Sequence, residues 1–219
     1  MLRYAPEIQV PSFLNQVRYG LYVMTHPIDG FWDLKHANRG SFKSAMVLVF
    51  IFFLSTLVRR QLTEWYFNPA NTLWVNIPAE IVSNLGPFAL FVIASWCVTS
   101  LMDGEGTIVD ISKTVAYSLV PLTLANFFAT FMSHMLTSRE AMMLDLIGNI
   151  GLIWTVGLIF LSTIVTHQYT VLRAVVVSMI TLLGMLVMVI LGLLVFFLIQ
   201  QLVGFGMELS TELLIRINE

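Results

Sequence analysis

Five long apolar stretches constrain this chain more than any other feature. They lie at about residues 42–60, 81–102, 114–137, 144–165 and 174–205. About 20 apolar residues in a helix cross the roughly 30 Å hydrocarbon core of a bilayer. Backbone amides in lipid must be paired within the protein, which helices achieve. The pattern therefore predicts an all-α membrane protein whose core is a bundle of five transmembrane helices.

The composition supports the same class. Hydrophobic residues make up 58% of the chain and charged residues only 11%, whereas soluble domains carry about 25% charged residues. The net charge of −2 argues against nucleic acid as a partner, because such proteins need a basic face. The single cysteine, Cys97, excludes a disulfide within the chain. We expect membrane lipid to be the main surroundings.

Residues 1–41 are predicted to form a cytoplasmic arm followed by a short interfacial helix. Pro6 and Pro11 indicate an extended arm, and apolar residues recur at helical spacing over 13–24. A helix this short cannot span the bilayer, so we expect it to lie at the membrane surface. No apolar segment followed by a cleavage site precedes it, so no signal peptide is expected to be removed. Pro27 should stop this helix, and the pair Asp29-Gly30 predicts a turn.

The predicted spans differ in length. The first uncharged run is short, and we expect its helix to continue past Arg59 and Arg60 to about Phe67. The fifth run, 174–205, would measure about 48 Å as a helix, so it should tilt, bend or project beyond the membrane. The C-terminal tail, 206–219, has apolar residues at helical spacing and can continue that helix.

The distribution of positive charges predicts the orientation. With five spans the termini lie on opposite sides of the membrane. A cytoplasmic N-terminus places seven Lys or Arg residues inside and four outside, which fits the positive-inside rule. We therefore expect a multi-pass plasma-membrane protein with a cytoplasmic N-terminus and an extracytoplasmic C-terminus.

Three short polar segments, 25–35, 103–113 and 166–173, would then meet at the cytoplasmic surface. Asp33 or Asp110 can cap a helix and complement its dipole, and Lys35 or Lys113 can meet lipid headgroups. We predict that this face is an interaction surface for other membrane proteins. Its candidate residues are His26, Asp29, Asp33, Lys35, Asp103, Glu105, Asp110, Lys113 and His167.

A metal site or an active site is a more specific hypothesis for the same face. His26, His167, Asp103 and Glu105 are residue types that bind zinc, manganese or iron, but no spacing on one helix fixes their geometry. No Gly-Lys-Ser/Thr follows the Gly104-Glu105-Gly106 segment, and no GxSxG motif is present. We therefore predict no metal, no cofactor and no enzymatic activity. A metal-dependent membrane enzyme stays an alternative.

Three polar residues lie within the predicted spans: Asn126, His134 and Asn149. Such groups are costly in lipid and should face other helices. A hydrogen bond between Asn126 and Asn149 would join spans three and four as packing. The functional alternative is a small transporter or channel that uses these residues, although no charged residue is expected at mid-membrane depth.

The chain resembles bacterial members of the Yip1 domain family over about residues 22–205. The resemblance lies in four motifs, which are His26-Pro27 with the segment from Asp29 to Lys35, Leu101 to Gly106, Tyr117 to Pro121, and Thr166 to Tyr169. It implies a five-helix membrane domain with a cytoplasmic N-terminus. The Asp-Leu-Tyr-Gly-Pro motif of the family is absent, so the vesicle-traffic role of eukaryotic members should not transfer.

The resemblance also implies an accessory role, because bacterial relatives are often encoded beside carbohydrate ABC-transporter components. The leading hypothesis is a non-enzymatic accessory or scaffold protein associated with such a transport system. Its expected partners are ABC-transporter subunits or other membrane proteins, and a homo-oligomer is left open.

Overall fold

The structure, a computed structural model, describes residues 12–37, 39–64, 67 and 76–218, without the side chains of residues 138 and 209–218. The predicted arm, 1–11, lies outside the described residues. Within them the chain forms eight α-helices and no strand. The helices are α1 Phe13–Thr25, α2 Pro27–His36, α3 Phe42–Leu62, α4 Ile77–Leu101, α5 Ile108–Ser118, α6 Val120–Ser133, α7 Ala141–His167 and α8 Val171–Asn218.

Five helical segments are long and apolar enough to cross a membrane. They are α3, α4, the α5–α6 pair, α7 and the part of α8 from Val171 to Glu208. The predicted all-α bundle of five spans is therefore confirmed.

The N-terminal region contains two helices where one helix and a turn were expected. α1 coincides with the short helix predicted over 13–24. Asp29 and Gly30 lie inside α2, so the predicted turn is wrong. Pro27 begins α2, because proline is compatible with the first turn of a helix. A Cβ on Gly30 would lie 3.0 Å from the Val23 Cα atom. Gly30 therefore allows α1 and α2 to approach closely. Asp33 lies within α2, and its predicted role as a helix cap is also wrong.

The C-terminal end of α3 and the start of α4 differ from the prediction because of local hydrogen bonds at the helix ends. α3 does not continue to Phe67: Thr63 adopts an extended conformation, and its hydroxyl donates to the Arg59 carbonyl. α4 begins earlier than residue 81, because the Asn76 side chain accepts a hydrogen bond from the Ala79 amide at 3.2 Å. An N-cap asparagine satisfies one of the free amides at the start of a helix.

The third span consists of two helices. α5 begins at Ile108, six residues before the predicted start, with a capping box between Thr107 and Asp110. The N-cap is thus Thr107, and Asp110 stabilises the helix start as its third residue. The helix breaks at Leu119, just before Pro121, which lacks a backbone N–H donor. α6 then ends at Ser133 rather than at residue 137.

The core lies where α1 and α2 pack against α3, α5 and α7. Tyr117 of α5 is fully buried there. Its hydroxyl donates to the Gln16 carbonyl of α1 at 2.8 Å and lies 3.0 Å from Ser44 Oγ of α3. The Tyr117 side chain thereby connects α1 to two spans, α3 and its own helix α5.

The last helix is long and only its first part is packed. α8 has 48 residues, or about 72 Å at 1.5 Å per residue. Ala174, Val177 and Thr181 are buried, whereas residues 191–203 are all exposed. The tail is a continuation of this helix, as the spacing of its apolar residues allowed.

Candidate functional site

Three segments that are distant in sequence meet at one end of the bundle. Lys35 Nζ of α2 donates to the Thr166 carbonyl at 2.7 Å and lies 3.4 Å from Glu105 Oε2. The Gln168 side-chain amide donates to the same Glu105 oxygen at 2.7 Å. We call Lys35, Glu105, Thr166, His167 and Gln168 the junction. It joins one predicted interaction residue from each of the three polar segments.

The imidazole of His167 supports the loop between α4 and α5. The ring is 3% exposed, and its Nδ1 accepts a hydrogen bond from the Gly106 amide at 3.2 Å. Nδ1 is therefore unprotonated, because only a nitrogen without hydrogen can accept. A Cβ on Gly104 would lie 2.6 Å from Nδ1, and one on Gly106 would lie 2.6 Å from Cε1. Both glycines are required by this close approach.

The same loop is also held by the start of α8. The Met102 carbonyl accepts hydrogen bonds from the Tyr169 hydroxyl at 3.1 Å and from the Arg173 guanidinium. That guanidinium lies over the Tyr169 ring, 4.6 Å from its centroid. Burial raises the pKa of the Tyr169 hydroxyl and the charge of Asp103 adds to this rise, while Arg173 opposes it. Tyr169 is thus a neutral donor at ordinary pH.

A groove of about 510 Å³ lies beside the junction. Its lining from α2 is Ile28, Asp29 and Trp32, and its opposite side includes Gln168 and Tyr169. Ile28 is 62% exposed and Trp32 is 48% exposed. We call this feature the α2 groove. Its α2 side carries one acidic side chain and two exposed apolar ones.

The remaining predicted residues of this face make their contacts elsewhere. The His26 ring stacks on Tyr22, with 4.8 Å between centroids. Asp33 accepts from the Tyr19 hydroxyl at 3.1 Å and pairs with Arg39 at 3.4 Å.

Lys113 does not extend to lipid headgroups as predicted. It is 8% exposed, and its ammonium lies 2.9 Å from an Asp110 carboxylate oxygen. The two charges compensate each other, so Lys113 stays within the bundle.

The predicted bond between Asn126 and Asn149 does not form. Asn126 is 3% exposed, and it contacts α3 instead: its amide donates to Ser55 Oγ at 3.1 Å, and its carbonyl accepts from Arg59 at 3.0 Å. Asn149 and His134 are exposed. Of these three predicted polar residues, Asn126 is the buried one, and His134 follows the end of α6.

The comparison with protein families agrees with the observed motifs and layout. The sequence model of the Yip1 domain matches residues 21–207. This chain belongs to the Yip1 domain family. No curated protein and no solved structure matches it. The Yip1 match contains α2, the whole junction and all five spans up to Met207, so the family resemblance and the multi-pass membrane class are confirmed.

The described part of the Yip1 domain contains no cluster of side chains that could hold a metal ion. No three His, Cys, Asp or Glu side chains there are close enough to hold a metal ion. The histidine–carboxylate alternative therefore gains no support from the geometry. Within the junction, Glu105 is instead bound by Lys35 and Gln168.

Sequence reasoning missed several residues of the Yip1 junction. Gln168 is the C-cap residue of α7 and adopts the left-handed conformation, with φ of 53°. Non-glycine residues seldom adopt this region, so no sequence pattern indicates it. The Thr166 carbonyl is a backbone group and is likewise invisible in a sequence. For Thr166 and Gln168 the signal in the sequence was the motif from Thr166 to Tyr169, which contains both.

Proposed function

We propose that this Yip1-family membrane protein is a non-enzymatic scaffold that binds another membrane protein at the α2 groove. The junction and the N-terminus would lie on the cytoplasmic side. The partner would be a membrane subunit of a carbohydrate ABC-transport system, as the family resemblance implies.

The bond between Lys35 and Thr166 is the observation that carries this proposal. It fixes α2 against the end of α7, so the groove between them is preformed. Preformed surfaces bind more tightly because less conformational entropy is lost. The exposed Trp32 is also of a residue type that is enriched at interaction hot spots.

Site-specific photo-crosslinking in native membranes tests the docking surface. A photoreactive amino acid replaces Trp32 in the full chain. A matched control replaces Phe50, which is 58% exposed on α3 and does not line the groove. We expect a discrete adduct at position 32 that mass spectrometry identifies as a transporter subunit, and none at position 50. Identical products at both positions, or none at position 32, would contradict the proposal.

The orientation needs its own experiment. In a Cys97→Ser background, single cysteines replace Ser12 before α1 and Glu208 near the end of the fifth span. We expect a membrane-impermeant maleimide to label position 208 in intact cells and position 12 only after permeabilisation. Labelling of both positions in intact cells would place the termini in one compartment and refute the arrangement.

A further inference from the structure

A second and larger cavity, about 670 Å³, lies at the end of the bundle opposite the junction. It is bounded by the last turns of α3, by α6 and by the first turns of α7. Aromatic and aliphatic side chains such as Phe52 form part of its wall. Its charged and amide lining residues are Arg59, Arg60, Asn84, Asn126 and Asp145.

Arg59 is held in this cavity by a neutral partner. Its guanidinium donates to the Asn126 side-chain carbonyl at 3.0 Å. Asn126 is fixed in turn by Ser55. Gly148 of α7 leaves room for the guanidinium, because a Cβ there would lie 3.1 Å from both terminal nitrogens. Arg59 is thus oriented by three helices.

No carboxylate forms an ion pair with Arg59 in the described part of the chain. None lies within 4.0 Å of its nitrogens there, and the sequence of residues 65–75, which follows α3, contains no acidic residue. The neighbouring Arg60 differs, since it forms an ion pair with the buried Glu80. A guanidinium uses five N–H donors, so Arg59 retains donors for an anion.

Asp145 supplies the opposite charge within the same cavity. It lies on α7, three residues before Gly148, and positions three apart share one helix face. Its carboxylate forms no ion pair or hydrogen bond with any residue that the structure describes. The cavity therefore presents one cation and one anion that are not paired with each other.

We propose that this cavity binds a zwitterionic phosphate ester, with the phosphate at Arg59 and a primary ammonium at Asp145. The planar guanidinium fork matches phosphate oxygens, and a carboxylate accepts from an ammonium group. Arg59 lies in the last turn of a membrane span, at the level where lipid headgroups occur. Aminophospholipids carry this chemistry, and so does free phosphoethanolamine. The site is separate from the α2 groove and goes beyond the scaffold function.

Ligand-dependent thermal unfolding of the purified full chain in a neutral detergent tests this site. The probes are phosphatidylethanolamine, phosphatidylcholine, phosphatidylglycerol and free phosphoethanolamine. We expect phosphatidylethanolamine to raise the unfolding temperature at a concentration at least about tenfold lower than the other two lipids. Stabilisation by phosphoethanolamine alone would assign the same chemistry to a soluble ligand. Equal effects of all three lipids, without any effect of phosphoethanolamine, would overturn the proposal.

Three variants assign the effect to the cavity. Arg59→Gln should remove the response to all the phosphate ligands, measured against its own ligand-free unfolding temperature. Asp145→Asn changes an exposed residue and should fold normally, yet it should abolish the preference for phosphatidylethanolamine over phosphatidylglycerol. Arg139→Gln removes an exposed arginine outside the cavity and should change neither. A retained preference in Asp145→Asn would refute the assignment. Crosslinking at position 32 should be the same in all three variants, which separates this test from that of the scaffold.

Discussion

The Lys35 ammonium donates a 2.7 Å hydrogen bond to the backbone carbonyl of Thr166, 131 positions further along the chain. This carbonyl belongs to the last turn of α7, where carbonyl groups have no partner within the helix. A positive charge there also complements the negative end of the helix dipole. Lys35 therefore caps one of the membrane spans from a separate helix.

Lys35→Gln should destabilise the protein by about 1–3 kcal/mol, because a partly buried carbonyl loses its charged donor. The measurement is thermal or denaturant unfolding in detergent. Lys43→Gln is the matched control, since Lys43 is exposed at the start of α3, and it should change stability by less than about 0.5 kcal/mol. Equal effects of the two variants would show that the cap contributes nothing specific.

Alanine at Gly104 or Gly106 should disrupt the loop against His167. The new methyl group would lie 2.6 Å from an imidazole atom in each case, so the loop or the ring must move, at a cost of about 1–3 kcal/mol. Gly157→Ala is the control: no atom lies within 4 Å of its added Cβ, and alanine favours a helix over glycine. Stability should fall in the first two variants and be unchanged or rise in the third. A rise in all three would contradict the close packing.

Tyr117→Phe should weaken the attachment of α1 to the bundle. It removes the hydroxyl that contacts Gln16 and Ser44, which should cost about 1–3 kcal/mol. Limited proteolysis within α1 should accelerate. Tyr22→Phe, at a residue 41% exposed, should leave the cleavage rate unchanged. Equal cleavage in Tyr117→Phe and the unmodified protein would argue against a role of this hydroxyl.

Asn126→Leu and Asn149→Leu form another matched pair. The first removes the buried amide that contacts Ser55 and Arg59, so unfolding should become easier by about 1–3 kcal/mol. The second changes an exposed residue and should have little effect. If Asn149→Leu destabilised the protein more than Asn126→Leu, the result would contradict the observed hydrogen bonds of Asn126.

Alkaline pH should loosen the contact between α1 and α2. Burial raises the pKa of the Tyr19 hydroxyl, and the charge and hydrogen bond of Asp33 raise it further. A folded-state pKa above the unfolded value stabilises the fold at neutral pH, and this contribution disappears as pH rises beyond about 10. Ultraviolet difference titration of the protein against Tyr19→Phe should show one tyrosine ionising above the ordinary range. Ionisation near pH 10 would exclude the bond to Asp33 in the folded state.

The sequence predicted the parts of the fold that depend on segment composition. The five spans and the existence of α1 follow from apolar length and spacing, which the bilayer constrains strongly for the spans. Helix ends were predicted less well. The start of α5 was placed six residues too late, because Thr107 and Asp110 cap the helix at Ile108, before the apolar run begins. Gly30 was read as a turn residue, although its small size serves the packing of two helices.

The candidate site was only partly predictable for a similar reason. Lys35, Glu105 and His167 were identified because charged and imidazole groups are rare in this chain. Their arrangement depends on a backbone carbonyl at Thr166 and a left-handed residue at Gln168, and neither leaves a mark in the sequence. The sequence also could not predict that Arg59 and Asp145 form no ion pair, because ion pairing depends on distance and not on residue type.

The uneven packing of α8 has a mechanical consequence. Its base is fixed by Ala174, Val177 and Thr181, and beside them Tyr169 contributes to the α2 groove. A rotation of about 10° around this base would move the far end of the roughly 72 Å helix by about 12 Å. Because packing holds only the base of this long helix, a small change of angle at the base becomes a large displacement at its far end.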